Sequence, residues 1–70
     1  MENNIILTLI ELTNRSNDDV KIAAITALGD YKATVEQQAA ISRLLALCKD
    51  PNRDVAISAI RSLSKLSEFF

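Results

Sequence analysis

Apolar residues return along this chain at helical spacing in four stretches. Between residues 4 and 14, Ile6, Leu9, Ile10 and Thr13 fall at i, i+3, i+4 and i+7, with Ile5 and Leu12 widening the stripe. A second helix is predicted to open at Asn17, a good N-cap, with Asp18 and Asp19 in a first turn where the helix dipole favours carboxylates. Val20, Ala24, Ala27, Leu28 and Tyr31 then form its principal buried face, while Ile22 and Ile25 lie to one side. Such width predicts a helix that touches both its hairpin partner and a neighbouring unit. Gly29 lowers helix propensity near the end of the segment, and Lys32, Ala33 and Thr34 form the expected break. Thr34 followed by Gln37 reads as a capping box for a third helix over residues 35–49, whose stripe is Ile41, Leu44, Leu45 and Cys48. Asp50 and Pro51 should end it, since proline disfavours helical backbone in the residue before it. Asn52 then caps a fourth helix that runs to at least Leu66. Nowhere does the period-two alternation of a half-buried strand occur.

The four stretches are one unit written twice. When residues 1–35 are laid over residues 36–70, ten of thirty-five positions are identical, among them Leu9/Leu44, Leu12/Leu47, Asn17/Asn52, Val20/Val55 and Leu28/Leu63. Self-similarity at this period predicts an all-α solenoid of two helical hairpins, four antiparallel helices in one domain over residues 1–70, with repeat one at 1–33 and repeat two at 34–70. Val20, Leu28, Val55 and Leu63 are expected to share one continuous interior.

Composition narrows the function classes. Hydrophobic residues make up 49% of the chain and aromatics only 4%, so the core must be built from Leu, Ile, Val and Ala at close range. Eight basic against nine acidic side chains give no general field for phosphate or an anionic bilayer, so nucleic acid and membrane are not expected partners. A single Cys48 and no His exclude a disulfide framework and remove the usual metal-ligand pairs. With no signal-like segment and no apolar stretch of membrane-spanning length, a cytoplasmic protein is expected.

Two runs carry a resemblance to a known family. Residues 17–29 (NDDVKIAAITALG) and 50–63 (DPNRDVAISAIRSL) resemble HEAT repeats, particularly the short HEAT-like kind of phycobilisome lyase subunits: a turn, an acidic cap, a valine and an Ala-Leu pattern. The resemblance implies a solenoid that binds proteins, with the second helix of each hairpin on the concave side. It also implies a ladder between repeats, from an Asp before the turn to a basic residue after the valine. Here the first repeat has Arg15 at the acidic position and the second has Ala56 at the basic one, leaving a single Lys21–Asp50 rung.

Candidate chemistry is sparse. Cys48 has no His to activate it and reads as a core thiol; Asp18, Asp19, Asp50 and Asp54 sit where capping explains them, and no calcium-loop pattern is present. No catalytic, cofactor or metal site is expected. Asp18, Thr26 and Asp30 correspond to Arg53, Arg61 and Lys65, so the concave side would be polarised along the stack, suiting a segment of mixed charge or a second copy turned end over end, unless Asp30 and Lys65 simply meet across the boundary. Ile5, Leu7 and Ile10 at one end, with Leu66, Phe69 and Phe70 at the other, are candidates for exposed apolar patches. The expected function is a non-catalytic protein-interaction module or small assembly subunit, whose partner is another protein or a second copy. The resemblance alone adds the alternative of an accessory subunit of a bilin lyase or phycobilisome-processing complex.

Overall fold

The computed structural model describes residues 2–70, with side chains from Asn4 onward. Helix α1 spans Glu2–Leu12, α2 Asp18–Asp30, α3 Gln38–Leu47 and α4 Arg53–Leu66; 3₁₀ turns cover Lys32–Glu36 and Ser67–Phe69. There is no strand among the described residues, and no helix there is long and apolar enough to cross a membrane.

The two hairpin turns are built alike. Asn17 and Asn52 hold nearly the same extended backbone, φ −80, ψ 118 and φ −78, ψ 120. Each side-chain oxygen accepts the amide three residues on, Val20 N and Val55 N, both at 3.1 Å. These bonds satisfy an otherwise orphaned first-turn donor and fix where α2 and α4 begin.

The connection between hairpins departs from the predicted capping box. Thr34 lies inside the 3₁₀ turn, and its hydroxyl donates backward to the Leu28 carbonyl at 2.9 Å, closing the C-terminal end of α2. Gln37 is the N-cap of α3 without a side-chain capping bond, so α3 starts at Gln38 rather than at residue 35. Thr34 is fully buried, which explains why it satisfies a buried carbonyl instead of an exposed helix start.

Packing between the second helices of the two hairpins dominates the tertiary structure. The core joins Ile6, Ile25, Leu28, Leu44, Leu47, Val55 and Leu66. On α2 the buried face is Ala24, Ile25, Leu28 and Gly29, rotated from the predicted one toward α4. Ile25 therefore belongs to the centre of the interface rather than to its flank. Gly29 sits at the crossing itself: a Cβ there would lie 2.5 Å from Ser62 Oγ and 2.8 Å from Ser62 Cα. Its lack of a side chain serves close helix approach; it does not end the helix. Ser62 Oγ donates to the Ile25 carbonyl at 2.8 Å, so the crossing is bonded as well as close.

The expectation that four equivalent aliphatic residues share one interior fails in part. Leu28 and Val55 are fully buried, but Leu63 is half-buried and Val20 is 37% exposed. The two valines hold the same place in their hairpins, and only Val55 has a repeat stacked over it.

Candidate functional site

That asymmetry between identical residues maps the available surfaces. Ala40, Leu44 and Leu47 of α3 with Val55 and Leu66 of α4 are all buried. Their equivalents thirty-five positions earlier, Ile5, Leu9, Leu12, Val20 and Tyr31, are half-buried or exposed. These residues form one apolar N-face on α1 and α2. An open hollow of about 500 Å³ runs over it between Ile5, Leu9, Ala27, Asp30 and Tyr31.

The opposite end shows the converse. Ile6, Thr13, Ile25 and Leu28 are buried under repeat two, whereas the equivalent Ile41, Cys48 and Leu63 are half-buried and Ile60 is 54% exposed. Leu45, the counterpart of half-buried Ile10, is 56% exposed. This is the C-face, on α3 and α4. Each hairpin thus presents an N-face and a C-face, and the one internal interface joins the C-face of repeat one to the N-face of repeat two.

The predicted end patches are corrected accordingly. Ile5 and Leu7 are exposed, but Ile10 packs against the core. Leu66 is fully buried in the internal interface, since it projects from α4 toward repeat one, and offers nothing to a partner. Phe69 and Phe70 are exposed, the Phe69 ring lying 5.3 Å beneath the Lys32 ammonium. Cys48 is half-buried on the C-face, its thiol donating to the Leu44 carbonyl at 3.3 Å. The core position expected for it needs a further repeat above.

Polar groups at the rims bind the repeats together. Lys21 reaches Asp50 at 3.5 Å and Asp18 at 3.8 Å, forming the expected rung. The Lys21 and Asp50 side chains are mostly shielded, so the rung is screened less than a surface pair. Asn52 donates to Asp18 at 2.8 Å while its own backbone amide donates to Asp50 at 2.9 Å. Asp18 is thereby committed to the internal interface. Asp30 and Lys65 pair with each other across the repeat boundary on the exposed surface. Arg53 and Arg61 are exposed, and Thr26, Ser58, Arg61 and Lys65 line a small groove of about 310 Å³.

One latch was absent from the sequence-based expectations. Arg43 donates from Nε to the Thr13 hydroxyl and from Nη2 to the Thr13 carbonyl, both at 3.0 Å, while that hydroxyl donates to the Ile10 carbonyl. The C-terminal end of α1 is tied to α3 by this fork. Its signal was available, since Arg43 is the only charged residue of α3. Nothing in the periodicity, however, identified its acceptor.

A family model described as HEAT repeats matches residues 6–68. No curated protein and no solved structure matches the chain.

Proposed function

The chain belongs to the HEAT-repeat family, a family whose repeats generally mediate contacts between proteins, and we propose that it acts as a non-catalytic protein-interaction module whose contact surfaces are the two end faces of the stack. The observation that carries this reading is the paired burial: side chains of one type, at one place in the hairpin, are buried where a repeat covers them and half-buried or exposed where none does. Leu9 and Leu12 have no local role different from that of Leu44 and Leu47. Exposed apolar surface of this kind is contact surface waiting for a neighbour.

The test is affinity capture from the cells that make the chain, using wild type, Ile5→Glu on the N-face, Ile60→Glu on the C-face and Ser42→Glu on an exposed position outside both. Loss of a captured protein with an end-face variant, and its retention with Ser42→Glu, is the expected result. Equal capture by all four folded proteins would refute the reading. The narrower alternative of an accessory subunit in bilin lyase or phycobilisome processing rests on the resemblance of residues 17–29 and 50–63 alone, and recovery of lyase subunits or phycobiliproteins would select it.

A further inference from the structure

From the internal interface and the charge distribution we infer that the end faces accept a second copy of this chain head to tail, the C-face of one copy on the N-face of the next. This deepens the interaction-module reading and rests on it. The internal interface is the template. A copy stacked in its register would bring Leu9, Leu12 and Val20 to the places held by Leu44, Leu47 and Val55, against Ile41, Ile60 and Leu63 in the places of Ile6, Ile25 and Leu28. Each of those residue pairs is chemically identical.

Charge selects this polarity. Residues 1–35 carry five acidic and three basic side chains, residues 36–70 four acidic and five basic, so head-to-tail stacking joins halves of opposite sign and end-over-end pairing joins like with like. Internally, Asp30 of repeat one meets Lys65 of repeat two. At the junction between copies Lys65 takes the first role and Asp30 of the next copy the second, so the same ion pair recurs with its direction reversed.

Three steric differences and one of charge keep the junction weak. Ile5 stands where the interface has Ala40, Tyr31 where it has Leu66, and Ser64 where Gly29 allows close approach, so the exact packing is overfilled and the copies sit further apart. The shielded Asp18–Lys21–Asp50 cluster is replaced by Arg53, Ala56 and the next copy's Arg15, two cations without an acid between them. Association is therefore reversible and, being heterologous, open-ended.

Sedimentation of the purified chain from micromolar to millimolar concentration tests this. The average mass is expected to rise past the dimer without a plateau. Ile5→Glu and Ile60→Glu, each checked for folding by circular dichroism, should be monomeric alone and form a one-to-one complex when mixed, because each retains the face the other lacks. Leu45→Glu repeats the C-face test at a second exposed position. Arg15→Asp, which gives Arg53 a carboxylate, should tighten association about fivefold. A mass fixed at monomer or stopping at dimer would overturn the inference, as would self-pairing by either blocked variant, a mixture that stays monomeric, or an Arg15→Asp chain no tighter than wild type. A chain that remains monomeric yet loses a captured protein in the end-face variants would overturn head-to-tail stacking while leaving the interaction-module reading intact.

Discussion

Replacing Gly29 with alanine should destabilise the protein even though alanine is the better helix former. Intrinsic propensity favours alanine over glycine inside a helix by about 0.8–1.0 kcal/mol. Against this, the new Cβ would meet Ser62 Oγ at 2.5 Å, Ser62 Cβ at 2.6 Å and Ser62 Cα at 2.8 Å. Swinging the hydroxyl away relieves only the first contact, because the others involve a Cβ fixed to its backbone and the backbone itself. Helices α2 and α4 must part by about 1 Å to restore ordinary carbon contacts, and a gap of that size forfeits a quarter to a half of the dispersion energy along the crossing. It also stretches the Ser62 hydrogen bond to the Ile25 carbonyl. Because backbone as well as side chain must move, the upper part of the overpacking range applies, about 2–3 kcal/mol, and subtracting the propensity gain leaves an expected net loss of about 1–2 kcal/mol. For a domain of this size that corresponds to a fall in Tm of roughly 4–16 °C. Thermal and urea unfolding followed by circular dichroism measure it. Ser62→Gly combined with Gly29→Ala completes a double-mutant cycle, and removal of the Ser62 Cβ should recover part of the loss, giving a coupling of about 1 kcal/mol. A Gly29→Ala protein as stable as wild type, or more stable, would refute the claim that the crossing is set by close approach.

Other substitutions test the remaining contacts. Arg43→Ala should cost about 1.5–3 kcal/mol, because it removes a two-pronged, charge-assisted clamp and leaves the Thr13 carbonyl without that donor; Arg43→Lys should fail to restore it, as urea unfolding will report. Thr34→Val, nearly isosteric at a buried site, should cost about 1–2 kcal/mol by removing the hydroxyl donor from the Leu28 carbonyl, and Thr34→Ser should recover much of it. Asn52→Ala should destabilise more than Asn17→Ala in the same thermal assay: both lose a helix cap worth about 1 kcal/mol, but only Asn52 also bonds the other repeat through Asp18. Lys65→Ala should shift stability by less than about 1 kcal/mol, since both partners of its ion pair are well exposed, and a larger shift would show that the pair is more than a surface contact.

Periodicity alone specified four helices, their pairing into two hairpins and the asparagines that start α2 and α4, because these depend on spacing and on a capping bond reaching only three residues. The Lys21–Asp50 rung came instead from the resemblance to HEAT repeats, which implies an Asp before the turn and a basic residue after the valine. What periodicity could not supply was the difference between the repeats. Val20 and Val55 are the same residue three positions after the same asparagine cap, and only the stacked hairpin buries one fully and leaves the other 37% exposed. For the same reason Leu66 was grouped with the exposed terminal phenylalanines although it faces repeat one, and Ile25 was placed on a flank although it lies at the centre of the α2–α4 contact. Thr34, Arg43 and Gly29 act on partners six to thirty-three residues away. Such pairings exist only once the helices cross at a particular angle and distance. Sequence determined what each hairpin is; the tertiary stack decided which of its faces are covered, because burial is a property of neighbours rather than of residues.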